Sequence, residues 1–421
     1  MNAPALSASF STANPHALAT ILEASQTKSI IASRDIFDIS GTKLWARDLP
    51  VSESLQRKLL DRQLRNPLET CLMAEDGVTA QSLVQAMQAL LERDTPLRYL
   101  LRADARRLVQ EAAHLPLHPV AQLLLSVGQT SRPESFDHAV QAMSLSGALM
   151  IGHGGSTAEV RLAMLGGLLH DLGEMYIDPR YGEADAERAL DFTSYQQLVV
   201  HPHVGQLLVS QLTDYPAALA RAIAEHHEHM DGSGYPQALQ RDAISPLGRL
   251  LAVTEGSLAV LRGERPYLAR VSVALRVVPG EYDLSWLGRI AEAARAQPAL
   301  HATLAAEEVQ ARLCRLDAAL HEAHAQTAAL AVGAEAPALK DALTLAQHLL
   351  DRLRTGCNAS GLWGNESVAA QDAAEVEAVE DELLFRLRAI KRAALLRAGD
   401  LSPDDAQRLN LLCDGLGGGE V

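Results

Sequence analysis

The sequence predicts a mainly α-helical protein, and three observations carry the prediction. Ala and Leu, both strong helix formers, dominate the composition, while aromatic residues make up only 4%. Apolar residues recur at helical spacing, as in Leu55, Leu59, Leu60 and Leu64 and in Leu83, Met87, Leu90 and Leu91. Strand-type patterning is confined to one stretch near the N-terminus.

Four segments follow in order. Residues 1–27 are rich in Ser, Ala and Thr and are expected as a flexible tail, with at most a short helix near Leu18–Ala24. Residues 28–130 read as an N-terminal accessory region of hairpin plus helices. The turn Ile39-Ser40-Gly41-Thr42 lies between apolar runs and predicts the hairpin. Helical pattern resumes from Leu97 to Val127, broken at Pro116 and Pro119. Gly128–Pro133 reads as a breaker and places a domain boundary. Residues 131–297 form the next domain.

Residues 298–421 are Ala-rich and predict a helical bundle region. Leu339, Leu343, Ala346, Leu350 and Leu353 make one stripe; Val376, Val379, Leu383, Leu387 and Ile390 make another. The second stripe starts acidic and ends basic, as a helix dipole favours, and its charges read as a solvated face. Its three heptads or so favour a bundle helix over a coiled coil, leaving a protein partner or self-association open. Thr355–Gly361 reads as the loop between the stripes.

Charge and cysteine usage narrow the function. A net charge of −15 argues against a nucleic-acid or anionic-membrane surface, which needs clustered Lys and Arg. No apolar run of membrane-spanning length occurs. Cys71, Cys314, Cys357 and Cys413 are far apart and form no C-x-x-C pair, as expected of reduced thiols. The first basic residue is Lys28, so no secretory start is read, and a cytoplasmic location is expected.

The chemistry concentrates in 131–297. Glu134 and His138 are four apart and share a helix face. His170-Asp171 ends an apolar helix and precedes Gly173. His201 opens His-Pro-His-Val-Gly, His226-His227 ends another helix, and Glu255 lies on a later one. A lone histidine on a helix is usually structural, so His203, His229, His321, His324 and His348 are set aside. The imidazoles of His138, His170, His201, His226 and His227 and the three acids together suit Fe, Mn or Zn, and the lack of Cys ligands argues against a structural zinc site.

These residues resemble the HD-GYP family, a branch of the HD phosphohydrolase superfamily. His226-His227-Glu228 with Asp231-Gly232-Ser233-Gly234-Tyr235-Pro236 matches its second signature, and His170-Asp171-Leu172-Gly173 its first. His201–Gly205, Ile244–Arg249, Arg265-Pro266-Tyr267 and Gly280–Asp283 match further elements. The resemblance implies a helical HD-type domain with two or three divalent metals, iron or manganese, and hydrolysis of cyclic di-GMP to pGpG or GMP. It implies the ligands Glu134, His138, His170, Asp171, His201, His226, His227 and Glu255, with Asp171 bridging and His170 beside it at the catalytic centre. It implies substrate contacts from Gly234, Tyr235, Pro236 and Arg265. The chain departs from the pattern at Glu174, where the family has Lys, and at Glu255, Leu258 and Leu268. A carboxylate 4 Å from a substrate phosphate would cost on the order of 4 kcal/mol at an effective dielectric of 20. A catalytically impaired signalling or scaffold protein that binds metal and nucleotide is therefore the alternative expectation.

Overall fold

The computed structural model describes residues 10–59, 61–178, 199–263, 266–297, 303–334, 336–359, 374–383, 385–386, 401–405 and 407–409. The protein is mainly helical, with short strands between residues 30 and 74. Its contacts divide it into two compact units.

The first unit comprises Met1–Leu190, Gln197–His227 and Ser245–Thr254. At its centre helix Pro133–Gly152 packs along helix Thr157–Leu169. Pro133 opens the first helix, where a missing N–H costs nothing. Gly154 turns the chain in the left-handed region (φ 86°), and Ser156 starts the second helix. Its hydroxyl accepts from Glu159 N while the Glu159 carboxylate accepts from Ser156 N, a reciprocal cap. The two backbones meet at Gly167, where a Cβ would stand 2.3 Å from the Ala142 carbonyl oxygen. Helices Ala80–Glu92, Ala105–Ala112 and Pro119–Ser131 pack around this pair.

Two expectations differ here. Helix Pro119–Ser131 runs straight through Gly128, and only Arg132 leaves helical geometry before Pro133. Helices on both sides of the expected 130/131 boundary lie in one compact unit. The expected tail also carries structure from residue 10 onward; residues 1–9 lie outside the described residues. Asn14 caps helix Pro15–Ala24 by accepting from the amides of His16 and Ala17, and Leu18, Ile21 and Ala24 are buried.

The hairpin is present: Ile36–Phe37 pairs antiparallel with Lys43–Trp45, and Gly41 turns at φ 87°. The Asp38 carboxylate fixes the turn by accepting from Ser40 Oγ and Thr42 N. A second antiparallel pair joins Ile30–Ala32 to Leu72–Ala74. The latter strand has three residues, too few to show alternation in the sequence.

The second unit comprises Asp191–Gln196, Glu228–Ile244 and Glu255–Val421. Helices Ala306–Gly333 and Pro337–Ala359 pack together. Leu339, Leu343, Ala346, Leu350 and Leu353 are all buried, in a core shared with Leu316, Leu320, Val379 and Leu383. Val376 is buried as well, whereas Leu387 and Ile390 lie outside the described residues. The expected loop Thr355–Gly361 is helical as far as Ala359. The reason is at Gly356, where a Cβ would stand 2.1 Å from the Val277 carbonyl oxygen, so glycine serves packing there rather than a turn. The acidic face at 375–382 is not simply solvated. Glu377 and Glu380 are buried, Arg312 reaches Glu380 at 2.9 Å, and Arg270 reaches Asp381 at 2.8 Å. Among the described residues no helix is long and apolar enough to cross a membrane.

Candidate metal centre

Helix ends of the first unit bring six of the named residues together. His170 is the C-cap of helix Thr157–Leu169, and His226 is the C-cap of helix Ala217–Glu225. Each ring uses Nδ1 on a carbonyl of its own last turn: His170 on Gly167 O at 2.7 Å, His226 on Ile223 O at 2.6 Å. These contacts satisfy carbonyls that a helix end leaves without partners, and the negative end of each helix dipole faces the site. His201 opens helix His201–Leu212, and His138 projects from the second turn of helix Pro133–Gly152.

Asp171 stands between the rings. Its Oδ2 lies 2.9 Å from His170 Nε2 and 3.5 Å from His138 Nε2. Its Oδ1 lies 3.4 Å from both His201 Nε2 and His226 Nε2. His227 stacks against His226, with ring centroids 4.1 Å apart. Two ligand groups result, His138–His170–Asp171 and Asp171–His201–His226–His227, each with donor atoms within 4.8 Å of one another. Asp171 is common to both, through different oxygens.

The protonation of these groups suits a cation. A carbonyl oxygen only accepts, so a neutral His170 or His226 carries its proton on Nδ1 and turns an Nε2 lone pair toward Asp171. Burial, then the neighbouring His227, lowers the His226 pKa to about 3, so this ring is neutral at pH 7. Burial alone would raise Asp171; the surrounding imidazoles, His170 first and then His138 and His201, overcome it and hold the carboxyl well below its usual range. Lone pairs and a carboxylate thus converge where a divalent ion would neutralise them. The donors are imidazole and carboxylate without thiolate, a set suited to Fe, Mn or Zn.

A pH dependence follows from His226. A ring whose pKa falls on folding contributes stability that is complete above its unfolded value of 6.5 and is lost as pH drops toward 3. The whole window is worth on the order of 5 kcal/mol. The chelated protein should show a urea midpoint that falls steadily below pH 6.5; a flat midpoint down to pH 4 would contradict a neutral, buried His226.

Other named residues stand elsewhere. Glu134 is exposed in the first turn of its helix and belongs to neither group. Glu255 is buried in helix Pro246–Arg262, in the second unit, with its carboxylate 3.8 Å from Arg262; it belongs to neither group. Gly234, Tyr235 and Pro236 are in the second-unit loop Glu228–Ile244, and the Tyr235–Pro236 bond is cis. Arg265 lies outside the described residues. Glu174 is buried, and Arg132 Nη1 donates to its carbonyl oxygen at 3.0 Å. Burial lowers the Arg132 pKa, and Glu174 is the first of the acids that oppose this. Sequence reasoning did not single out Arg132; a lone basic residue beside a proline gives no periodic or spacing signal.

The glycines of the two shorter motifs have steric reasons. A Cβ on Gly173 would stand 2.0 Å from the His201 carbonyl oxygen, and one on Gly205 would stand 2.9 Å from the Ile223 side chain. Helix His201–Leu212 therefore lies directly against the turn Leu172–Tyr176, and this contact carries His201 to Asp171.

Comparisons with known proteins point to the segment that holds most of these residues. The family model described as HD domain matches residues 141–284, which include every residue of the two ligand groups except His138. The chain is 29% identical over 231 residues to Cyclic di-GMP phosphodiesterase PA4108 of Pseudomonas aeruginosa, covering 54% of this chain and 53% of that protein. It is 25% identical over 224 residues to 3'3'-cGAMP-specific phosphodiesterase 3 of Vibrio cholerae, covering 50% and 48%. It is 33% identical over 113 residues to Cyclic di-GMP phosphodiesterase response regulator RpfG of Xanthomonas campestris, covering 27% of this chain and 29% of that one. The chain thus spans about half the length of the first two relatives or less. With its His170–Gly173, His201–Gly205 and His226–Pro236 elements, the segment 141–284 is an HD domain of the HD-GYP type.

Proposed function

We propose that this protein is a metal-dependent phosphodiesterase for cyclic dinucleotides, with cyclic di-GMP cleaved to pGpG or GMP as the leading reaction. The observation that carries the reading is the sharing of Asp171, one oxygen toward His138 and His170 and the other toward His201 and His226. That arrangement fits two divalent ions, iron or manganese, held side by side. Bound there, they would supply Lewis acidity toward a phosphoryl oxygen and lower the pKa of water. The chain's part is to hold the rings aimed at Asp171, which the carbonyl contacts of His170 and His226 support. The relatives named for cyclic di-GMP and for 3'3'-cGAMP support the substrate class and leave the base choice to experiment.

Glu174 motivates the alternative of a silent, metal-binding scaffold. The Arg132 guanidinium lies beside it, donating to the Glu174 carbonyl oxygen and attracting its charge. A cation beside Glu174 lessens the repulsion a substrate phosphate would meet there. Protein loaded anaerobically with Fe(II) or Mn(II) should convert cyclic di-GMP or 3'3'-cGAMP to a linear dinucleotide, resolved by chromatography. Metal bound at full stoichiometry with neither substrate consumed would leave only the scaffold.

A further inference from the structure

The signature loop is fastened within the second unit to residues far along the chain. Glu228 holds the loop closed: its buried carboxylate accepts from Gln237 N at 2.6 Å and Leu239 N at 2.8 Å. Beyond it Met230 N donates to the Glu281 carbonyl oxygen at 2.8 Å, and the His229 ring lies 5.0 Å from the Tyr282 ring. The Glu281 side chain is buried, with Oε1 3.4 Å from His229 Nδ1. His229 Nδ1 also contacts Ser233 Oγ at 2.8 Å, so Glu281 faces the part of the loop that leads to Gly234.

Glu281 is itself held by Arg386. The guanidinium Nη1 lies 3.0 Å from Glu281 Oε1, Nε lies 2.9 Å from Glu382 Oε1, and the ring of Tyr282 is 5.7 Å from its central carbon. Burial drives the Glu281 pKa upward and Arg386 opposes it most strongly. Without that guanidinium the carboxylate would be buried beside Asp231 and Glu382 with its main counter-charge gone. Helix Pro337–Ala359 adds a second tie, His348 Nε2 to the Asp231 carbonyl oxygen at 3.2 Å.

We infer that Arg386, beyond the HD match, is a positioning residue that sets the signature loop His229–Pro236 through Glu281 and Tyr282. The C-terminal helical region is then part of the machinery that shapes the loop, and whatever displaces Arg386 loosens it. The consequence for turnover rests on the phosphodiesterase reading, in which this loop meets the cyclic dinucleotide; the consequence for the loop does not.

Hydrogen exchange on the whole 421-residue chain separates the two. In Arg386→Gln, amides of peptides covering 228–241 should exchange about tenfold or more faster, while peptides covering 157–169 and 306–333 keep their protection and metal content is unchanged. Arg386→Lys keeps the charge but lacks the fork that spans Glu281 and Glu382, and should fall between the parent and Arg386→Gln. If the protein hydrolyses cyclic dinucleotides, KM should rise more than kcat falls, in the same order. Unchanged loop exchange in Arg386→Gln overturns the inference, as does equal loss of protection across 306–359. A loop that loosens in a protein inert toward every dinucleotide keeps the inference and removes the hydrolase reading.

Discussion

Asp171→Ala should empty both ligand groups at once. Its two oxygens serve different sets of imidazoles, so no other single change removes a donor from each. Loss of a residue that merely orients a ligand already weakens metal affinity about 10–100-fold, and loss of a shared carboxylate should exceed that. The variant purified under conditions that load the parent should carry almost no iron or manganese by elemental analysis. His170→Ala is the informative partner. His170 belongs to one group, and Asp171, His201, His226 and His227 form the other without it. Its metal content should fall by about half rather than to zero, an order-of-magnitude expectation from ligand count. Thermal melts should follow the same ranking, because metal that binds only the folded state stabilises it by mass action. Equal metal content in Asp171→Ala and parent would show that the carboxylate is not shared between ions.

The sequence made the clustered histidines and Asp171 legible because imidazoles at helix ends keep their meaning in one dimension, whereas Glu134 and Glu255 fall in neither group. His170 and His226 each close an apolar helical run, and both are C-caps in the structure. The hairpin was legible for a similar reason, since Gly41 and the flanking apolar residues declare the turn locally. Glycines that serve packing were misleading. Gly128 and Gly356 read as breaks, yet both lie in continuous helices; Gly356 exists for contact with Val277, a partner far away in sequence. Long-range pairs were not legible either. Nothing near Glu281 announces Arg386, and nothing near Glu69 announces Tyr176, whose hydroxyl donates to that buried carboxylate at 2.5 Å. The flat reading of Glu377 and Glu380 as solvated failed the same way, because the partners Thr303 and Arg312 lie some seventy positions upstream.

Gly173→Ala should be strongly damaging, because the added methyl group meets backbone next to the site. The added carbon would stand 2.0 Å from the His201 carbonyl oxygen, 2.8 Å from Gly205 N and 2.9 Å from the His201 carbonyl carbon. All three atoms are backbone, so no rotamer change relieves the overlap. Helix His201–Leu212 must retreat from the turn Leu172–Tyr176, and His201 retreats with it from Asp171. Overpacking of this kind costs about 3 kcal/mol or more when backbone has to move. The matched control is Gly128→Ala, at a helical site where a Cβ meets nothing within 4 Å. There alanine should stabilise by roughly 0.5–1 kcal/mol through helix propensity alone. Urea unfolding of the chelated proteins measures both without interference from metal. The Gly173 variant should also bind metal through His138, His170 and Asp171 in preference to the group that contains His201, so its stoichiometry falls even where it remains folded. A Gly173 variant as stable as the Gly128 control would mean that the turn and the helix do not meet as closely as drawn, and the placement of His201 beside Asp171 would fall with that contact.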